Sequence, residues 1–233
     1  MQQFYSPHID QNNSTFTFDE QESKHIARVL RKVSGDHIQL TDGKGTIFGG
    51  NLEVISVKKC CVHIASSKKM TPHYPYVHMA VAPTKSIDRF EWFLEKATEM
   101  GVQRITPILC ARSERKSIKL ERCAKITIAA MKQSLGAFLP KIDPLTPLHE
   151  FKTDAVKTFL AHCADFPKDP LKAVVKNQAS VCILIGPEGD FTPSEIEWAN
   201  QQKIVAVDLG SSRLRTDTAA LAACHTALLL NEA

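Results

Sequence analysis

The sequence predicts an α/β protein in which a small β-rich unit precedes a larger domain built on a parallel sheet. Between residues 37 and 64, short apolar runs alternate closely with turn signals, which is typical of a small barrel. From residue 76 onward, strand-like runs alternate with longer helical patterns, which is typical of a sheet covered by helices. We place the two domains at residues 1–70 and 75–233, with a proline-containing linker between them.

The β-rich unit contains one helical pattern and several strand patterns. Ile26, Val29 and Leu30 recur at helical spacing within residues 19–31, which predicts a short helix. Strands are predicted over residues 37–40, 46–48, 52–55 and 62–64, with turns at 42–43, 49–51 and 58–59. Close spacing with such turns favours a barrel.

The larger domain begins with a buried-type strand over residues 77–82. A strongly periodic helix follows over residues 86–100 and stops before Gly101. Further strands are predicted over residues 102–109, 158–161, 181–184 and 204–207, and a basic helix over about 120–135. Strands that alternate with helices in this way form a largely parallel sheet.

The last predicted helix, residues 217–230, is apolar on almost every face. A helix of this kind must be buried. Burial in a subunit interface and burial in the core of a monomer explain the pattern equally well.

Composition excludes several classes of protein. No stretch approaches the roughly 20 apolar residues that cross a bilayer, and the first residues lack a signal-peptide pattern, so we expect a cytoplasmic protein. The seven cysteines lack zinc-type spacing and the nine histidines form no ligand pattern, so no metal is expected. The sequence also lacks a Walker A motif, an HExxH motif and a matching dinucleotide fingerprint.

Basic residues are more informative by their placement than by the net charge of +4. Two groups recur at helical spacing: Lys24, Arg28, Arg31 and Lys32, and then Arg112, Arg115, Lys116, Lys119, Arg122 and Lys125. Basic helix faces suit contact with the phosphates of nucleic acid, although a solvated face explains either group alone.

Two glycine-bearing loops follow predicted strands near the C-terminal end, at residues 185–191 and 209–219. Loops at the carboxyl ends of parallel strands bind small ligands, and glycines there let the backbone approach a ligand closely. Arg213 and Arg215 precede a predicted helix, where the helix dipole disfavours cations, so this position indicates a bound anion. An ordinary turn at Pro187 and a helix cap at Thr216 are the structural alternatives.

Several short segments, taken in order, resemble the bacterial RsmE family, the 16S ribosomal RNA (uracil-N3)-methyltransferases of the SPOUT superfamily. The matching segments span nearly the whole chain: residues 25–31, Lys85 with Arg89 and Glu91, and residues 96–102, 113–115, 186–189, 209–210 and 214–219. Each segment is weak alone, and their order and spacing make the signal strong.

The resemblance implies an N-terminal PUA-like RNA-binding barrel and a C-terminal SPOUT methyltransferase domain with a deep trefoil knot. It implies a homodimer that methylates N3 of a specific uridine in 16S rRNA of the small ribosomal subunit. The implied cofactor is S-adenosylmethionine, and no metal is needed.

The resemblance also assigns site residues. Those expected to hold the cofactor are Leu160, Ala161, His162, Ile185, Gly186, Pro187, Glu188, Gly189, Leu209, Gly210, Ser211, Leu214, Arg215, Thr216 and Ala219. Those expected to contact RNA are Lys24, Arg28, Arg31, Lys85, Arg89, Arg112, Arg115 and Lys116. Because uracil N3 is a poor nucleophile until it loses its proton, Arg215 is expected to stabilise the anion, and Glu188 is a candidate general base.

Five positions depart from the usual pattern of the family. Asp190 stands in place of glycine, Gly136 in place of a frequent arginine, and Asp217 in place of glutamate. Ser212 replaces a usual arginine and Arg213 a usual aliphatic residue. These departures bear on RNA contacts more than on the cofactor pocket.

Two rival functions remain open at this point. Another SPOUT enzyme, such as a tRNA ribose 2′-O-methyltransferase, would differ in the nucleoside that it produces. A non-catalytic RNA-binding or ribosome-assembly factor would fail to bind the cofactor, and the intact Gly186, Gly189, Gly210 and Arg215 argue against it.

Overall fold

The computed structural model describes residues 2–155 and 157–231, which form two compact units. The first unit contains the chain up to Pro72 together with Met131–Leu139, and the second contains His73–Ala130 and the chain from Pro140 onward. The sequence-based division at residues 70–75 assigned Met131–Leu139 to the second unit.

The segment Met131–Leu139 belongs to the first unit because its contacts lie there. The Gln3 side-chain amide donates to the carbonyl of Gly136 at 2.7 Å, and the Lys132 ammonium lies 5.5 Å from the centre of the Phe4 ring. The ring of Phe138 packs so closely on Gly45 that a Cβ there would lie 2.5 Å from the ring. No local sequence pattern signals such a return of the chain.

The first unit is a five-stranded sheet in the order β1-β3-β4-β5-β2. Its strands are β1 (Gln3–Tyr5), β2 (Thr15–Thr17), β3 (His37–Thr41), β4 (Thr46–Ser56) and β5 (Lys59–Lys69). β1 pairs parallel with β3, and the other pairs are antiparallel. Apolar side chains from the strands, among them Phe4, Ile38, Leu40 and Phe48, form its core.

The predicted turn at residues 49–51 is wrong, because β4 runs through these residues as one strand. The pairing of β4 with β5 shifts register between Gly49 and Gly50. A Cβ at Gly50 would lie 2.3 Å from the carbonyl oxygen of His63, so the glycine permits a close approach of two strands. The glycine pair therefore marks a bulge and not a turn.

The predicted short N-terminal helix is present, but its hydrogen-bond pattern changes part-way along it. Helix α1 (Glu20–Lys24) is capped by the Asp19 carboxylate, which accepts from the Glu22 amide at 2.7 Å, and continues as a π-helical turn over His25–Val29. Arg31 adopts a left-handed φ of 51° beyond the helix. Lys24, Arg28, Arg31 and Lys32 therefore do not share one helical face.

The second unit contains an eight-stranded sheet. Seven of the strands follow the order β11-β13-β10-β12-β6-β7-β8, and the eighth, β9, also pairs with β7. The strand pairings are parallel. The strands are β6 (Tyr76–Val81), β7 (Arg104–Leu109), β8 (Lys141–Ile142), β9 (Thr146–Pro147), β10 (Lys157–Ala161), β11 (Asp169–Pro170), β12 (Ser180–Ile185) and β13 (Val205–Asp208). The helices are α2 (Ile87–Glu99), α3 (Leu120–Gln133), α4 (Leu171–Val174), α5 (Pro193–Gln201) and α6 (Thr216–Leu229), with a 3-10 turn at Leu148–Glu150. The last three residues of α3 belong to the first unit. The predicted parallel sheet with interleaved helices is confirmed.

Helix α6 buries one side within its own unit, where Ala220, Ala223 and Ala227 join the core with residues of α2, β6 and β12. His225 and Leu229 lie on an exposed side, and 54% of Leu229 is accessible. The core of the unit therefore buries only part of the apolar surface of α6, and the side that carries Leu229 stays accessible.

The seven cysteines are free thiols, six of them buried and Cys163 exposed. Among the described residues, no helix is both long enough and apolar enough to cross a membrane.

Candidate active site

A cavity of about 760 Å³ lies at the carboxyl ends of β10, β12 and β13. These strands are neighbours in a parallel sheet, so the loops that follow them meet at one edge. The loop after β10 contributes residues 161–163, the loop after β12 residues 185–188 with Asp190, and the loop after β13 residues 207–217. The fold thus brings together both glycine-bearing loops identified in the sequence.

Two glycines let these loops take their observed course. Gly210 has a φ of 115°, a left-handed conformation that side chains with a Cβ disfavour. A Cβ at Gly186 would lie 3.0 Å from the ring of Phe191, so glycine allows the loop to pack against that ring.

Asp190 joins two of the loops that line the cavity. Its Oδ2 accepts a hydrogen bond from the backbone N–H of Cys163 at 2.8 Å, and its Oδ1 accepts from the N–H of Phe191 at 2.8 Å. The residue has a φ of 60°, a conformation that aspartate tolerates better than most residues and glycine tolerates best. This backbone conformation suits glycine, and the side chain of Asp190 adds a contact between the two loops that glycine would lack.

Two buried polar groups at the cavity have atoms without a partner among the residues that the structure describes. They are both ring nitrogens of His162, which is only 6% exposed, and Oδ1 of Asp217. Burial, with the nearby Lys168 as the second cause, lowers the pKa of His162, so the ring is neutral at pH 7 and offers one donor and one acceptor. Buried polar atoms are nearly always hydrogen-bonded, so the cavity fits a ligand that carries hydroxyl or amino groups and positive charge.

Arginine side chains contribute most of the positive charge at the cavity. Arg89, Arg213 and Arg215 line it, and in the described part of the chain none of the three side chains forms an ion pair or hydrogen bond. Arg215 is the N-cap residue of α6, with φ −74° and ψ 158°. Guanidinium groups that have no protein partner are available to an anionic group.

Glu188 lies at the cavity and also contacts the start of α2. Its Oε1 accepts from the backbone N–H of Lys85 at 2.9 Å, just before the N-cap Ser86. The carboxylate is exposed, so its second oxygen is accessible to solvent. The predicted turn at this position is present as well, since the N–H of Asp190 donates to the carbonyl of Pro187 at 2.9 Å.

Known proteins share this architecture over almost the whole chain. Ribosomal RNA small subunit methyltransferase E of Bacillus subtilis is 29% identical, with 89% of this chain and 87% of that protein covered. A crystal structure described as a probable rRNA-methyltransferase from Porphyromonas gingivalis has 38% identity and a TM-score of 0.89, covering 98% of this chain and 99% of that one. Residues 72–228 match the family described as RNA methyltransferase domain, and residues 18–65 match the RNA methyltransferase PUA domain. The chain belongs to the RsmE family of RNA methyltransferases.

Another similar structure contains a bound S-adenosyl methionine. The ribosomal RNA small subunit methyltransferase E of Neisseria gonorrhoeae, bound to S-adenosyl methionine, has 26% identity and a TM-score of 0.89, covering 99% of this chain and 98% of that one. The predicted combination of a PUA-like unit and an α/β RNA methyltransferase domain is therefore confirmed.

The structure brings to one cavity all the residues predicted for the cofactor except two. Leu160 is buried in the core and does not line the cavity. Gly189 does not line it either, and its carbonyl accepts a hydrogen bond from the Arg112 side chain at 2.8 Å. Nine further lining residues lie outside the predicted cofactor set: Arg89 (assigned to RNA), Arg213 (predicted only to hold an anion), Cys163, Lys168, Asp190, Val207, Asp208, Ser212 and Asp217. Most of them lie next to predicted residues in the same loops, so extending each loop by a few residues would have found them.

The second predicted basic group does not form a helical face, because α3 begins only at Leu120. Arg112 donates to the carbonyls of Gly189 and Phe191, and Arg115 donates to those of Thr84 and Lys85 at 3.0 and 2.6 Å. These two arginines therefore hold loops of this RsmE-family fold.

The remaining basic residues predicted for RNA lie at the surface. Lys116, Arg28 and Arg31 are exposed, Lys85 pairs with Glu114 at 2.8 Å, and Lys24 pairs with Glu20 at 2.7 Å. Exposed pairs of this kind are weak, so both lysines are free to exchange their partner for a phosphate.

Proposed function

We propose that this RsmE-family protein methylates N3 of a specific uridine in 16S rRNA. The observation that carries the proposal is the cavity between the three carboxyl-terminal loops, with its unpaired buried atoms and its free arginines. Membership of an RNA methyltransferase family sets the class of reaction, and the charge at the cavity supports uracil as the reacting base.

S-adenosylmethionine is the cofactor that this cavity fits. When bound, it supplies a methyl group on a positively charged sulfur. Its amino, sulfonium and hydroxyl groups match the unpaired atoms of His162 and Asp217, and the backbone at Gly210 is open to close approach, since a Cβ there would meet nothing within 4 Å. The loop residues Ala161, Ile185, Pro187, Leu209, Ser211, Leu214, Thr216 and Ala219 complete the proposed binding set.

Arg215 has the main catalytic role in this proposal. Uracil N3 becomes nucleophilic when it loses its proton, and the negative charge then spreads over N3 and two carbonyl oxygens. A guanidinium group that lies at the cavity without a protein partner stabilises that anion. The proton passes to the Glu188 carboxylate or to water, since Glu188 lies at the cavity with an accessible oxygen.

The target base must leave its stack to reach the cavity, because the reacting nitrogen is otherwise occupied in pairing. Lys24, Arg28 and Arg31 are the proposed phosphate contacts of the first unit, and Lys85, Arg89 and Lys116 are those of the second. Arg112 and Arg115 contribute by holding loops of the second unit. Phosphate contacts of this type position the RNA and do not read its sequence.

We propose further that the protein works as a cytoplasmic homodimer on the assembled small ribosomal subunit. The exposed side of α6, with Leu229 more than half accessible, supports a subunit contact. The trefoil knot implied by the resemblance is proposed for the chain from β10 to α6, where the site loops lie.

The deciding experiment is methyl transfer from labelled S-adenosylmethionine to small ribosomal subunits that lack the modification, followed by nucleoside analysis of the digested RNA. A new 3-methyluridine is expected. Label in a ribose 2′-O-methyl nucleoside would overturn the uracil-N3 assignment while keeping the family. Cofactor binding without any label in RNA from intact or dissociated subunits would overturn the proposed substrate.

A further inference from the structure

Three side chains with metal-binding chemistry lie together on the outer face of the first unit. Glu53 in β4 is directly opposite Cys61 in β5, and His63 follows two residues later on the same strand. Residues two apart in a strand point to the same face. Cys60 and Val62 belong to the core, so Cys61 and His63 point away from it.

The three ligand atoms lie close enough to share one ion. The Glu53 Oε2 is 2.7 Å from the His63 Nε2 and 3.3 Å from the Cys61 Sγ, and the three ligand groups lie within 4.8 Å of one another. In a tetrahedral zinc site with ordinary bond lengths, the oxygen–nitrogen and oxygen–sulfur separations are about 3.3 and 3.5 Å. An ion therefore requires the Glu53 oxygen to move about 0.6 Å away from the His63 nitrogen and about 0.2 Å away from the Cys61 sulfur. The sulfur and the nitrogen, which lie within 4.8 Å of each other, must settle at about 3.5 Å.

The surroundings suit a site with one open position. The side chains of Glu53 and His63 are 48% and 58% exposed, so an ion and a water molecule can reach them, while Cys61 is buried beneath. The second ring nitrogen of His63, Nδ1, lies 3.4 Å from the hydroxyl oxygen of Thr15 in β2. Contacts of this kind, on the nitrogen that does not bind metal, orient histidine ligands.

We propose that Glu53, Cys61 and His63 bind a zinc ion, with water as the fourth ligand. Thiolate, imidazole and carboxylate together are a donor set that zinc accepts. Binding forms bonds from zinc to sulfur, nitrogen and oxygen, and the thiol proton passes to solvent. The ion holds β4 and β5 together on the face opposite the core. This site is independent of the proposed methyl transfer, since it lies in the other unit from the cavity.

Zinc titration of the metal-free full-length protein, in competition with a chromogenic chelator, tests the site. One equivalent is expected to bind, and loss of one ligand in Cys61→Ser or His63→Gln is expected to weaken binding by at least about 100-fold, since even outer contacts contribute 10- to 100-fold. Cobalt is expected to give a thiolate-to-metal charge-transfer band that Cys61→Ser abolishes. Zinc is also expected to raise the melting temperature of the native protein and not of these variants.

Cys163→Ser and His149→Gln are matched controls, because they remove an exposed thiol and an exposed imidazole elsewhere. Both are expected to keep the cobalt band and the zinc affinity. His63 is exposed, so His63→Gln should stay folded, and circular dichroism verifies this. Absence of zinc binding by the native protein, a cobalt spectrum without a thiolate band, or loss of the band in Cys163→Ser would each overturn the proposal.

Discussion

Arg215 occupies a position that its own helix disfavours. A cation at a helix N-terminus costs about 0.3–1 kcal/mol, and no carboxylate in the described structure offsets this cost by pairing with Arg215. The side chain instead lies at the cavity. A residue that its helix disfavours and its protein leaves unpaired is poised to act on a bound anion.

Replacement of Arg215 by alanine is expected to lower the methylation rate by about 100-fold or more, because a charge that stabilises the developing anion is lost. Cofactor affinity is expected to change by much less. Single-turnover methyl transfer and calorimetric titration of the cofactor measure the two effects. Lys172→Ala, an exposed cation outside the cavity, is the control and should change neither. Equal losses of rate and affinity in Arg215→Ala would contradict a catalytic role.

Asp190 has a different task, which is to connect the loops after β10 and β12. Asp190→Ala removes both hydrogen bonds and leaves a Cβ at φ 60°. Cofactor affinity is therefore expected to fall by up to about 30-fold, which corresponds to the loss of roughly 1 kcal/mol for each of the two bonds. Asp190→Gly also removes the bonds, but glycine adopts a φ of 60° without strain. The thermal stability of Asp190→Gly should therefore exceed that of Asp190→Ala. Calorimetry and thermal unfolding test this, and unchanged cofactor affinity in both variants would contradict the role.

A buried polar network crosses the neighbouring strands β6 and β7 of the large sheet. The His78 Nε2 lies 2.7 Å from the Thr106 hydroxyl oxygen, and that hydroxyl donates to Asp143 at 2.5 Å. His78 Nε2–H is therefore the donor to Thr106, and Nδ1 accepts from the hydroxyl of Thr153 at 3.1 Å. These hydrogen bonds require the neutral form of the His78 ring, because Nδ1 accepts one of them. Burial is the main cause that lowers the pKa of His78 to about 4, and the charge of Arg104 is the second.

This pKa predicts how stability depends on pH. Between the unfolded value of 6.5 and the folded value of about 4, the unfolded chain binds more protons at His78. Stability is therefore expected to fall as the pH drops through this window, by about 3 kcal/mol from this residue. His162, whose pKa is also lowered, acts in the same direction.

Urea unfolding at pH 7 and pH 4.5 is the measurement. His78→Gln should be less stable than the native chain at pH 7 but should lose less stability on acidification. His149→Gln, at an exposed position, should follow the native chain. A variant His78→Gln with the native pH dependence would contradict the prediction.

The elements of the large sheet were predictable because their apolar runs are long and periodic, as in α2 and β12. Short strands such as β8 and β11, two residues each, carry no periodic signal of their own. Gly49 and Gly50 carried a turn signal that tertiary pairing overrode, since only the approach of His63 in β5 reveals why glycine is needed there. Local pattern thus gives the element types, and contacts between strands decide their ends.

The site was predictable to the level of its loops. Glycines after apolar runs and Arg215 before a helix are local signals with physical causes, and they identified the edge of the sheet at which the cavity lies. The roles of Arg112 and Arg115 were not predictable, because the carbonyls that they hold belong to distant loops. The cluster of Glu53, Cys61 and His63 was missed for the same reason, since strand register brings Glu53 to the other two.

The two units of the molecule are interleaved along the chain, because Met131–Leu139 returns to the first unit. A shortened chain that begins at His73 is therefore expected to expose Phe138 and to be less stable or to aggregate. Soluble yield and thermal unfolding measure this. The same shortened chain with Phe138→Ser is the matched comparison and should be more soluble. A fully stable, monodisperse shortened chain without further substitution would contradict the expectation.

The same return segment sets an order of events during translation. Domains usually fold in turn as they emerge from the ribosome, the N-terminal one first. Here the first unit lacks Phe138, which covers Gly45, until that part of the chain has left the exit tunnel. By then β6, α2, β7 and the whole of α3 have already been released. The nascent first unit therefore stays incomplete while more than a quarter of the second unit is synthesised. At this stage of synthesis the chain exposes the most surface to which chaperones can bind.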